Sequence, residues 1–220
     1  YRECLSADTN PIYSPTHPSC ALVLRNPTNG AVATVDVTYR NEASADLAGY
    51  DLQFDWGTEE IGPGSLTLNV LATLTDHWKT QVNPTSPELD FTGTTGPSDV
   101  RGVNQFAYDY RLFTTVGYRG GNWGTTFRWR HLPSIVPEGT IRTQAQYTET
   151  PSYDIFDVSG RYSFADRWDL RFGIDNLLDK EPPIVNLRTV AEGYTQTGVT
   201  NAAFYDVLGR RYYVGMRVQF

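Results

Sequence analysis

The stretch FYDVLGRRYYVGMRVQF, residues 204–220, carries the reading of the fold. From Arg211 on, Tyr212, Val214, Met216, Val218 and Phe220 fall on one side of an extended chain. Arg211, Tyr213, Gly215, Arg217 and Gln219 fall on the other. Successive strand side chains point to opposite faces, so this is a strand with one apolar and one polar face. The same alternation runs backward through segments 167–178, 152–164, 122–131, 106–119, 65–78 and 46–56, with 210–220 the seventh. None of the 13 prolines falls inside one, as expected of paired strands. The helical period is nearly absent, and the chain reads as all-β.

The two faces differ in kind. The apolar side holds Tyr50, Leu52, Phe54 and Trp56, then Leu66, Leu68, Val70, Ala72 and Leu74. It continues through Tyr108, Tyr110, Leu112 and Val116, through Trp123, Phe127 and Trp129, and through Phe156, Val158, Trp168, Leu170 and Phe172. The polar side carries Arg111, Arg119, Arg128, Arg130, Arg161, Arg171, Arg211 and Arg217. Facing them are Asp51, Asp55, Asp157, Asp169 and Asp175. Thr114, Thr125, His131 and Asp154 are polar exceptions on the apolar side.

The connections alternate in length. Residues 57–64, Gly120-Gly121 and Ala165-Asp166 make short turns; 79–105, 132–151 and 179–209 are long, and all fall at one end of the strands. Segments of about 10–14 residues suit a tilted membrane crossing, for which about 9–11 are needed. Aromatics gather at both ends of the apolar side: Trp56, Trp123, Phe164, Trp168 and Phe220 by the short turns, Trp78, Tyr108 and Trp129 by the long loops. Short turns, long loops and two girdles describe a transmembrane antiparallel up-and-down β-barrel. A secreted carbohydrate-binding β-sandwich would alternate similarly. A small outer-membrane barrel would need an eighth strand, for which only 32–40 is available. Seven strands without a partner at either edge imply earlier strands outside this chain.

Composition narrows the function. The 220 residues include 29 aromatics, counting Tyr, Phe and Trp together, and the net charge is −7. That balance excludes a basic footprint for nucleic acid. No catalytic motif is present, His17, His77 and His131 lack ligand spacing, and nothing in the sequence asks for a cofactor. Cys4 and Cys20 lie in a leader, 1–45, with a small hairpin of 21–25 and 35–40. A disulfide closing that loop would contribute about 3 kcal/mol; two unrelated buried thiols is the other reading. In the long loops Tyr147, Tyr194 and Phe204 could touch a ligand, with nothing to separate them from loop packing.

Three segments resemble the C-terminal part of TonB-dependent outer-membrane receptors. FGIDNLLDKEPP (172–183) is similar to the family's penultimate-strand motif, FYDVLGRRYYVGMRVQF to its closing motif, and GYDLQFDW (49–56) to a late-barrel strand. The resemblance implies that 46–220 form the last seven strands of a 22-stranded barrel, with short periplasmic turns and long extracellular loops. It implies a Gram-negative outer membrane and import of a scarce small-molecule ligand without chemistry on it. TonB would act through an N-terminal plug that this chain lacks. Tyr212, Val214, Met216, Val218 and Phe220 would be the signal read by the barrel-assembly machinery.

Overall fold

The computed structural model describes residues 4, 11–12, 14–36, 43–84, 86–96, 106–143, 148–165, 167–185, 200 and 202–219. Tyr147, Tyr194 and Phe220 lie outside these described residues. The chain divides into two compact units, 1–42 and 43–220.

In the first unit Cys4 and Cys20 are bridged, their Cα atoms 4.8 Å apart. Strands β1 (Val23–Arg25) and β2 (Val32–Val35) form a short hairpin. Asn26 shapes its turn by accepting the Thr28 N–H at 2.9 Å through its side chain and the Gly30 N–H at 2.8 Å through its carbonyl.

The second unit is one antiparallel sheet. Its long strands are β3 (Ser44–Ile61), β4 (Gly64–Gln81), β6 (Tyr110–Gly120), β7 (Trp123–Leu132), β8 (Tyr153–Phe164), β9 (Trp168–Asp175) and β10 (Arg211–Val218). A two-residue strand, β5 (Leu89–Asp90), pairs with the top of β4. The long strands pair in chain order, from β3 at one edge to β10 at the other, so the topology is up-and-down.

The register preserves the two faces across every strand. One row runs Trp56, Leu68, Val116, Phe127, Val158, Ile174 and Tyr212, each directly opposite the next. A parallel row runs Asp55, Asn69, Thr115, Arg128 and Asp157. A slip of one residue anywhere would exchange the faces. The apolar side is bare: Phe54 is 56% exposed, Met216 62% and Val214 77%. An apolar face of this extent exceeds what a water-soluble surface normally carries.

The turns differ in place and length from those the sequence suggested. β3 and β4 continue to Ile61 and Gly64, leaving only Gly62-Pro63 between them, with Gly62 at φ +61°. The β6–β7 turn is Gly121-Asn122 rather than Gly120-Gly121, because Gly120 pairs with Trp123. The β8–β9 connection is three residues, since Phe164 pairs with Trp168.

Two expected girdle residues turn out to sit on the other face. In β4 the register slips between Thr75 and His77, so Asp76 is an extra residue. Such a bulge re-aims the side chains beyond it. Trp78, opposite Leu47, thereby joins the polar side and is buried. Tyr108 precedes β6, which starts at Tyr110, because the neighbouring Ala107 is drawn into a bridge with Thr94. Tyr108 is 2% exposed. On the apolar side the long-loop end is marked instead by Tyr50, Tyr110, Trp129 and Tyr212. There two of the polar exceptions satisfy each other. His131 Nδ1 lies 2.8 Å from Asp154 Oδ1, which also accepts the Trp129 indole N–H at 2.7 Å.

The described parts of the long loops are folded, and they supply the core. Phe106, Tyr108, Ile135, Tyr153, Ile155, Val185 and Tyr205 form one buried cluster, with Leu132 and Phe204 against it. Ile155 and Tyr153 belong to the polar side of β8, so the cluster caps that face at the long-loop end. Main-chain bonds stitch the loops together: Gly93 N–H to Ala107 at 2.6 Å, Val136 N–H to Gly93 at 3.0 Å, Ile135 N–H to Thr150 at 3.0 Å. Buried loop backbone needs such partners.

Candidate functional site

The polar face is a wall of paired and unpaired charge. Arg130 lies 3.3 Å from Asp157, and Arg211 Nε 3.7 Å from Asp175. Arg161 and Arg171 stand directly opposite each other, and Asp169 relieves the repulsion from 2.8 Å and 3.9 Å. Asp55 accepts from Gln53 at 2.6 Å and Asn69 at 2.5 Å; Asp51 accepts from Thr73 at 2.8 Å. Among the described residues Arg111, Arg119, Arg128 and Arg217 form no ion pair. Beside Arg119, Arg161 and Arg171 runs a row of small residues, Thr67, Gly117, Thr126 and Ser159. Together they line an open cavity of about 510 Å³. This wall can hold anions; it offers no nucleophile–base pair.

The motif residues tie the wall to the loops. β9 ends at Asp175 because Asn176 turns to φ +52°. Its N–H donates to Asp157 at 2.9 Å. Its side chain donates to the Lys180 carbonyl at 3.0 Å and accepts the Lys180 N–H at 2.8 Å. Asp206 accepts the Arg211 guanidinium at 2.9 Å and the Leu208 N–H at 3.0 Å. Burial acts to raise the Asp206 carboxyl, but Arg211 and that N–H outweigh it and hold it below the usual range.

In the cap, Phe204 stacks on Phe106 with ring centroids 4.7 Å apart. The Tyr108 hydroxyl donates to Tyr205 at 2.9 Å. Burial pushes both phenols up, so both stay neutral. Of the three loop residues singled out in the sequence, only Phe204 falls within the described residues. Phe106, Tyr108 and Tyr205 were missed as site residues. Their signal was present in FAYDY (106–110) and FYD (204–206), two aromatic clusters that period two assigned to a strand or left in a loop.

An open pocket of about 340 Å³ lies between the cap and the upper wall, lined by Phe106, Phe204, Tyr108, Trp78, Arg111 and Asp51 among others. Gly49 forms part of it; a Cβ there would stand 2.5 Å from the Leu74 carbonyl oxygen, so the backbone stays bare.

No curated protein and no solved structure matches the chain. A family model described as TonB dependent receptor-like, beta-barrel matches residues 14–177. The match stops before the closing segment 204–220, whose strand β10 pairs with β9 and so lies in the same sheet. Seven up-and-down strands with a bare apolar face and an arginine-lined reverse agree with that match, and the chain belongs to the TonB-dependent receptor β-barrel family of outer-membrane transport proteins.

Proposed function

We propose that this chain is the C-terminal wall of a 22-stranded receptor that binds a scarce ligand at the outer surface and imports it with energy from TonB. The observation that carries the reading is the register. One apolar row crosses all seven strands, and rows bearing arginines and aspartates cross five or six of them on the reverse. In this reading the apolar face meets lipid. The polar face lines the lumen, and the unpaired Arg119, Arg128 and Arg217 meet an N-terminal plug, through which TonB acts. The exposed alternation of Tyr212, Val214 and Met216 on the edge strand, with Val218 and Phe220, serves the assembly machinery.

The test is fractionation of cells that make the full-length protein, with boiled and unboiled samples on one gel. Heat-modifiable migration in the outer-membrane fraction, with ligand uptake lost in a TonB-deficient strain, is the expected result. A soluble protein of fixed mobility would return the apolar face to a second sheet and the chain to the sandwich reading.

A further inference from the structure

The pocket at the upper wall has a chemistry of its own. One side is the half-buried ring of Phe204, stacked on the buried Phe106. Arg111 is the one arginine or lysine among its lining residues, and it forms no ion pair among the described residues. The Tyr108 hydroxyl beside it is already committed to Tyr205. Asp51 holds the Thr73 hydroxyl at 2.8 Å and has lone pairs left for a donor. A guanidinium presents a planar fork that matches a carboxylate with two parallel bonds, and it stacks on flat rings. A pocket of about 340 Å³ is the size of a small-ligand site.

We propose that Arg111 and the half-buried Phe204 ring seat a flat ring bearing a carboxylate-class anion, and that the imported ligand carries such a group. The inference rests on the receptor reading above and names the ligand class that this reading leaves open.

The test uses the whole receptor purified in detergent and saturation-transfer NMR with benzoate as the probe. Benzamide, which keeps the ring and loses the charge, and cyclohexanecarboxylate, which keeps the charge and loses the flat ring, are the comparisons. Benzoate should bind more tightly than either. R111Q should weaken benzoate by about tenfold, the loss of one charge-assisted pair, and R111K should fall between. R167Q, at the far turn, should leave binding unchanged. Each variant must show heat-modifiable migration; if R111Q does not, R111K decides. Equal binding of benzoate and benzamide, an unaffected R111K and R111Q, or no benzoate binding by a correctly assembled receptor would overturn the inference and leave the receptor reading standing. Failure of the wild type to migrate as a barrel would instead overturn the receptor reading.

Discussion

Asp179 accepts the main-chain N–H of Arg210 at 2.9 Å, across 31 positions of sequence. That bond joins the turn after β9 to the start of β10, the pair of motifs on which the family resemblance rests. Asp179 sits at φ +54° and Gly209 at φ +71°. Both left-handed positions suit the residues present, since Asp and Gly tolerate them best.

This tie can be cut from one side. Asp179→Ala removes the acceptor and should destabilise by about 1 kcal/mol, whereas Asp179→Asn keeps an oxygen and should cost less. The temperature at which unboiled gel mobility is lost measures both. Equal loss in the two variants would show that the bond contributes nothing.

Asn176 is fully buried and bonded to Lys180 through both ends of its amide. Asn176→Ala should cost about 2–3 kcal/mol, from stranded polar groups and left-handed strain together. Asn176→Gly relieves the strain and should recover part of the loss. A Gly variant no better than Ala would remove strain from the account.

The apolar and polar faces can be told apart by the same substitution on adjacent residues. Phe127→Arg, in the middle of the apolar row, should cost about 2–4 kcal/mol if that face meets hydrocarbon and should reduce the amount of assembled barrel. Thr126→Arg faces the other way and should assemble normally. Matching yields from the two would sink the lipid assignment.

Two glycines hold opposite faces of the same strand pair. A Cβ on Gly160 would meet the Phe172 ring at 2.5 Å, and one on Gly173 would meet the Tyr213 ring at 2.4 Å. Each ring lies over its glycine and shields the backbone there. Gly160→Val and Gly173→Val should each displace a ring and cost about 1–3 kcal/mol, read by the same melting gel. Pairing each with Phe172→Ala or Tyr213→Ala should remove the steric part.

Acid should loosen the start of β10. Because the folded Asp206 carboxyl lies below its unfolded value, its contribution is present above about pH 4. It is lost as pH falls through the folded value. Melting measured from pH 6 to pH 3 should show this loss in the wild type and a flatter profile in Asp206→Asn. Parallel profiles would place the acid sensitivity elsewhere.

Strands and faces were legible because period two survives in every crossing, from Tyr50-Asp51 to Met216-Arg217. What escaped was set by contacts distant in sequence. Nothing local says that Asp76 is an extra residue; only its partner strand β3 shows that Gly49 faces Thr75 and Ala48 faces His77. Tyr108 continues the alternation of β6 perfectly and leaves the strand because Thr94, in another loop, captures Ala107. The arginines of the wall were legible as a set, but which of them Asp169 or Asp157 neutralises depends on register and rotamer.

The bulge at Asp76 has a consequence for how such a hairpin is read. A strand spells its two sides in alternate letters, and one added letter puts everything above it out of phase with everything below. Below Asp76 the code is tied to its neighbours β3 and β6, row by row. Above it, Trp78 and Thr80 are buried, and Thr80 pairs with β5. The protein thus carries two scripts of opposite phase on one continuous ribbon, both still read against β3.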